Sequence, residues 1–180
     1  MAGAGTLDDV RAKGFVQVGV NGSLFGFGMP DESGVWKGLD VDTGRSIAAA
    51  VFGDANKIKY TPLTATTRFT AVQSGEVDVL CRNATRTLSR DTALGLDFAQ
   101  VNYYDGQGFL IPKALGVKSA KALSGATICV LPGTTTELNV ADFWVFLPVT
   151  ARPSVSMKNT MITSSSRLAT MARFLSAMWG

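Results

Sequence analysis

The sequence contains no histidine. That excludes Ser-His-Asp and Cys-His nucleophilic catalysis and the commonest general base, leaving carboxylate or lysine chemistry as the routes to a reaction. It also removes the usual zinc ligands. The two cysteines, Cys81 and Cys129, stand too far apart for a metal-ligand spacing, so neither a metal nor a cofactor is expected. They read most simply as buried thiols at strand ends, with a disulfide between them left open. No stretch approaches the ~20 apolar residues of a membrane span, and the opening MAGAGTLDDVRAKG lacks the basic-then-apolar pattern of a secretory signal. The chain is therefore expected to be soluble and, as written, without an export address; such a start equally suits a mature region with an added Met. Acidic residues are missing from 145–180, which hold Arg152, Lys158, Arg167 and Arg173 and leave 13 basic against 14 acidic side chains in 1–144. The formal charge of +3 thus belongs to the tail. Nothing in the main body offers the basic, aromatic-interleaved face that nucleic acid requires.

What is present describes a globular chain. The 180 residues are 46% hydrophobic with 17% charged and 19 glycines, enough for one domain or two small lobes around a conventional core. After a short helix signal in TLDDVRAKG, the β-branched run FVQVGVN predicts a buried strand, and TGRSIAAAVFGD predicts an alanine-rich helix ended by Gly53. KIKYTPL reads as a strand, TATTRFTAVQSGE as a helix, and VDVLC as another strand. Strands alternating with helices predict an α/β fold with a mostly parallel sheet, whose ligands sit beyond the carboxyl ends of the strands. That brings three loops together: 21–28, 82–90 and 131–136. The stretch from Gly108 to Trp144 adds two strand signals and one helix start, and no internal repeat precedes residue 145.

Within VLPGTTTELN, a tight turn at Pro132 and Gly133 leads into three threonines and a glutamate at a helix start. A helix start leaves amides unpaired and carries the positive end of the helix dipole, so Gly133, Thr134, Thr135 and Thr136 offer amides and hydroxyls to an anion. The same residues also make an ordinary N-cap, with Thr134 or Thr135 closing a capping box on Glu137. Asp40 and Asp42 pass for paired carboxylates, yet their alternate spacing on a strand-like approach to a helix fits capping at least as well. Arg68 reads as structural.

RFTAVQSGEVDVL, NYYDGQGF and GTTTELN, set in the order GVN, WKGLDVD, TLSRD and GLDFA, resemble the extracytoplasmic solute-binding proteins of amino-acid ABC transporters, in particular the general L-amino-acid branch. The resemblance runs from about Thr6 to about Asp142. It implies a type II periplasmic-binding-protein fold, α/β, with lobe I over 1–104, a hinge crossing at 105–108, part of lobe II over 109–144 and a non-family tail over 145–180. It implies a clamp that closes on an amino acid in the periplasm and docks on a membrane permease, with no bond made or broken. Arg90 matches the arginine that grips the carboxylate, a task suited to a planar, always-charged fork of donors. The Asn83 carbonyl and Thr85 hydroxyl are implied to face the ligand ammonium, and the Gly133–Thr136 run matches the second-lobe anion cradle, with Thr135 the foremost contact. Leu24, Phe25 and Phe27 sit where the family lines its side-chain pocket; as apolar loop residues beside a sheet they fit a core equally well.

The resemblance departs from the family pattern at Ala84 and Arg86, where a threonine and a tryptophan are usual, at Thr66 and Thr67, and at Leu131 and Pro132. Beyond Phe143 it stops. The tail reads as a replaced or out-of-frame end, giving an expectation of a truncated second lobe with impaired binding. Leu168, Met171, Leu175 and Met178 recur at helical spacing there, consistent with a short amphipathic helix or with a poorly packed end. The alternatives are a nonfunctional folded remnant, or an enzyme on the same fold resembling cyclohexadienyl dehydratase, which would need an acid and a base in the cleft. Exposed sheet edges make self-association an expectation as well.

Overall fold

The computed structural model describes residues 6–123, 126–145 and 154–157. Its first unit is organised by one short strand, β1 (Val16–Val20), whose residues Val16, Val18, Gly19 and Val20 are all buried. Burial on both faces is what a parallel sheet demands, and β1 is parallel to both neighbours. The order is β4 (Ile58–Pro62), β1, β5 (Val79–Leu80), with Val18 opposite both Tyr60 and Val79. Helix α1 (Thr6–Lys13) buries Val10 into the core that also holds Val16, Val18, Val20, Ala48 and Cys81. On the other side, Leu63, Ala71 and Val77 form a second cluster, bringing in α3 (Arg68–Gln73). Gly19 is closely packed: a Cβ there would lie 2.7 Å from Leu63 Cδ1 and 2.9 Å from Leu80 Cδ1, so both leucine side chains would have to shift to admit it.

Between these strands a small antiparallel pair, β2 (Met29–Pro30) and β3 (Trp36–Lys37), leads into α2 (Leu39–Phe52). Gly53 ends α2 in the left-handed conformation, its N–H bonded to the Ala49 carbonyl, as the sequence predicts. The start of α2 differs from expectation. Gly38 is the N-cap with no side-chain bond, and Asp40 and Asp42 lie inside the first turn, so neither carboxylate caps. Asp40 is instead buried, with its Oδ2 unpartnered.

After the short helix α4 (Leu88–Ala93), residues 95–112 form neither helix nor strand, and Val101, Tyr103, Tyr104 and Leu110 are exposed. No strand is described over GFLIP, one of the two strand signals in that stretch; Phe109 and Ile111 pack on a separate core of Leu123, Val130 and Val140. That core belongs to a second unit built from β6 (Thr127–Val130), α5 (Thr135–Val145) and β7 (Ser154–Met157), with β7 parallel to β6. β7 lies in the stretch read as tail, so part of that stretch completes a strand pair. The amphipathic helix expected over 165–180 lies outside the described residues. Both cysteines are free thiols: Cys81 is buried, but Cys129 is exposed, because Thr127 and Cys129 face outward while Ile128 and Val130 face the core.

A polar cleft beyond the strand ends: the candidate functional site

The carboxyl ends of β1, β5 and β6 converge, as the alternation of elements predicts. Asn21 on the loop after β1 donates to Asn83 Oδ1 at 2.7 Å on the loop after β5. Thr85 and Thr135 place their hydroxyls 3.1 Å apart across the two units. A fourth loop, after β4, joins them: Gly133 sits against Ala65 and Thr66 so closely that an added Cβ would lie 3.2 Å from the Ala65 carbonyl oxygen.

Thr87 caps α4 by accepting the Arg90 N–H at 3.2 Å, which sets Arg90 on the first helical turn. Its guanidinium donates to the Thr85 carbonyl at 2.8 Å and to the Gly133 carbonyl at 3.4 Å. Arg68, at the start of α3, donates from Nη1 to the Asn83 carbonyl at 2.6 Å and from Nη2 to the same Gly133 oxygen at 3.1 Å. Both guanidiniums lie against the Phe69 ring, 4.7 and 4.9 Å from its centroid. Arg82 stands behind them, donating to the Leu63 carbonyl at 2.6 Å and to Asn83 Oδ1 at 2.9 Å.

The charge balance is one-sided. Among the described residues no carboxylate forms an ion pair with Arg68, Arg82 or Arg90; Asp91, beside Arg90 in sequence, pairs with Arg86 at 3.7 Å. Arg68 is only 3% exposed, and burial pushes its pKa down to about 10, with Arg82 and Arg90 adding to the shift. Burial likewise lowers Arg90 and Arg82, the latter opposed by the Asp40 charge. The Nε atoms of Arg68 and Arg82 are buried without a partner. Packing like charges together out of water is unfavourable unless something anionic meets them, so the arrangement suits a carboxylate.

The sequence-predicted residues are not all free to meet one. Thr134 is engaged in its own turn, donating to the Leu131 carbonyl at 2.7 Å and accepting the Glu137 N–H at 3.2 Å. Glu137 returns to the Gly133 N–H at 2.8 Å, one residue ahead of the Thr134 cap, a variant of the capping box. The Gly133 amide is thereby bonded within the turn, while its carbonyl faces the arginines. The Thr136 carbonyl accepts from Gln107 at 3.4 Å. Leu24 bridges to Gly28, and Phe27 packs edge-on against Tyr103 at 5.0 Å, both on the 21–28 loop. Arg68, which the sequence reads as structural, is buried and bonded to two backbone carbonyls beside the site, a position the sequence reading did not give it. The rule that ligands gather beyond strand ends applies to the loop after β4 as much as to the others, and an arginine directly following it was the available signal.

The model of the bacterial extracellular solute-binding proteins, family 3, matches residues 16–171. The general L-amino acid-binding periplasmic protein of Rhizobium johnstonii is 64% identical over 143 residues, covering 79% of this chain and 42% of that protein. The glutamate/glutamine/aspartate/asparagine-binding protein of Rhodobacter capsulatus is 62% identical over 143 residues, with the same shares. Among solved structures, an ABC transporter periplasmic binding protein from Brucella ovis, with glutathione bound, superposes with a TM-score of 0.80 at 56% identity, over 87% of this chain and 49% of that one. A cysteine-binding protein from Campylobacter jejuni shares the fold, with a TM-score of 0.69 at 24% identity over 93% and 64% of the two chains. The chain spans about two-fifths of the length of these curated relatives.

Proposed function

The chain belongs to the bacterial extracellular solute-binding proteins, family 3, and has their type II periplasmic binding fold; from that membership we propose that it is the amino-acid-binding component of an ABC importer, taking polar L-amino acids and passing them to a membrane permease. The observation that carries this reading is the convergence of Arg68 and Arg90 on one carbonyl with no carboxylate paired to either among the described residues. A ligand α-carboxylate meets Arg90, the less buried of the two, with the Thr85 and Thr135 hydroxyls beside it. The second positive charge at Arg68 suits a ligand that is itself anionic or strongly polar, in keeping with the relatives named for glutamate, glutamine, aspartate and asparagine. The periplasm is the compartment this reading assigns.

Binding rather than catalysis is supported by what faces the cleft. The Glu137 carboxylate is bonded to the Gly133 amide, and Asp40 is buried under the influence of Arg82, which leaves neither placed as a general acid or base. A folded remnant that no longer binds is the second reading, favoured by the exposed Val101, Tyr103, Tyr104 and Leu110. Self-association through sheet edges is discouraged at β4, where Lys57 and Lys59 flank and occupy the edge.

Isothermal titration with pooled and then individual L-amino acids, including Arg90→Ala, tests the proposal. Saturable heat is expected from the parent, with affinity falling at least ~100-fold in the variant, since hydrogen bonds to charged groups contribute roughly 1.5–3 kcal/mol each and Arg90 supplies two donors. No heat from a chain that still unfolds cooperatively would replace this reading with the remnant.

A further inference from the structure

We propose that Asp105 and Gly106 form a site of spontaneous backbone modification, at which Asp105 passes through a cyclic imide to an isoaspartyl linkage. The junction lies in the stretch between α4 and the second unit, and both residues are exposed. The Gly106 N–H donates to Asp105 Oδ1 at 2.7 Å. Oδ1 is bonded to the carboxyl carbon, so the backbone nitrogen already sits beside the atom it would attack, and groups held within roughly 3–3.5 Å react as one molecule rather than two. Gly106 carries no side chain to hinder the attack, and among the described residues no ion pair draws the Asp105 carboxylate elsewhere. Asn21 and Gly22 make the other junction of this kind in the sequence. There the carboxamide is committed away from the following nitrogen: Nδ2 donates to Asn83 Oδ1 at 2.7 Å, and Oδ1 accepts from the Ser23 N–H at 3.3 Å and the Ser23 hydroxyl at 2.9 Å.

The reaction needs only water. The Gly106 nitrogen attacks the carbon of the neutral Asp105 carboxyl; a C–N bond forms, and the amide proton leaves with the carboxyl hydroxyl as water. Water then adds to either carbonyl of the imide. Opening at the side-chain carbonyl restores aspartate, whereas opening at the main-chain carbonyl breaks the original peptide bond and leaves the chain running through Cβ and Cγ, with the former main-chain carbonyl as a free carboxylate. The composition is unchanged, but the main chain is longer by one C–C bond, about 1.5 Å. Gln107 is the next residue, and it ties this stretch to α5: its Nε2 donates to the Thr136 carbonyl at 3.4 Å, and its Oε1 accepts from Asn139 at 2.9 Å. Lengthening the chain just ahead of Gln107 displaces both bonds, one of which is made to the threonine run. The inference concerns a reaction of the chain itself and stands or falls independently of the proposed binding activity.

The test incubates the full, folded chain warm in mildly acidic buffer beside the free peptide VNYYDGQGFL, and locates isoaspartate by peptide mapping and by methyl transfer from an isoaspartyl methyltransferase. Product is expected at Asp105 in the folded chain, forming at least as fast as in the peptide. A folded chain that stays free of it, or forms it more slowly than the peptide, overturns the proposal, because the fold would then protect the junction. A Cβ built on Gly106 meets nothing within 4 Å, so Gly106→Ala is expected to keep the parent's circular dichroism and to lose most of the product. Undiminished product there overturns the Gly106 nitrogen as the attacking atom. Should Gly106→Ala fold differently, Asp105→Glu, which would have to close a larger ring, is expected to lose the product in its place, and undiminished product overturns the proposal equally. Hydrogen exchange over α5 is expected to be faster in the aged parent than in the fresh one, and unchanged in the aged variant. Equal exchange in fresh and aged parent overturns the claim that the modification displaces Gln107.

Discussion

Replacing Gly133 by alanine separates two costs that usually arrive together. Gly133 has φ +74°, so any side chain there carries the left-handed penalty of roughly 1–2 kcal/mol. The added Cβ also meets the Ala65 carbonyl oxygen at 3.2 Å, Thr66 Cγ2 at 3.4 Å and Thr66 Cα at 3.5 Å, and crowding of that kind in a packed site adds about 1–3 kcal/mol. Gly116 provides the control. It has φ +60° and nothing within 4 Å of a built Cβ, so Gly116→Ala carries the backbone penalty alone. Urea denaturation followed by circular dichroism is expected to show Gly133→Ala losing roughly 2–5 kcal/mol and Gly116→Ala roughly 1–2 kcal/mol. With a slope of about 2 kcal/mol per molar, the midpoint of Gly133→Ala falls by about 1–2.5 M. Equal losses in the two variants would refute the reasoning, because they would mean that Gly133 is not pressed against the first unit.

Asp40 gives a prediction with a defined sign. Burial raises its carboxyl above the ordinary 3.8, with the Arg82 charge opposing, so the folded chain holds this proton more tightly than the unfolded one. Its favourable contribution is complete below that ordinary value and is lost as pH rises through the raised one. Asp40→Asn is expected to gain stability relative to the parent at pH 7 and to lose that advantage towards pH 3; stability curves that run parallel across this range would contradict the sign. The thiols provide another. Cys129 is exposed, whereas Cys81 is buried and pushed up to about 12 by burial and then by Asp40, so a disulfide-exchange reagent should titrate one thiol in the native chain and the second only on unfolding. Two rapidly reacting thiols would show that the core around Cys81 opens.

Much of the first unit was legible because each segment there repeats one period. The β-branched run ending at Val20 became the central strand, and Gly53 ended α2 where its backbone freedom allowed. Arg68 was not legible for a physical reason: its partners are the Asn83 and Gly133 carbonyls, 15 and 65 residues away, and main-chain acceptors leave no mark on sequence. At the threonine run, the structure shows the N-cap reading at one hydroxyl and a contact with the other unit at the next. Thr134 accepts the Glu137 N–H, and Thr135 reaches Thr85. Local sequence offers three equivalent hydroxyls, and only the approach of another loop distinguishes them. GFLIP shows the opposite case, an apolar strand signal over which no strand is described and whose Phe109 and Ile111 pack on the second core.

The placement of β1 at the centre of its sheet bears on how the chain leaves the ribosome. Its first strand partner, β4, ends at Pro62, the residue paired with Val20 and 42 positions later in the chain. At roughly 5–20 residues per second, β1 is made about 2–8 s before that partner is complete, and β5 comes later still. What arrives in the interval is α2, whose Gly44 fits so closely that a Cβ would lie 3.3 Å from Val18 Cγ1. Two helices, α1 made before β1 and α2 made before β4 is complete, are therefore the neighbours available to the nascent valines ahead of any partner strand.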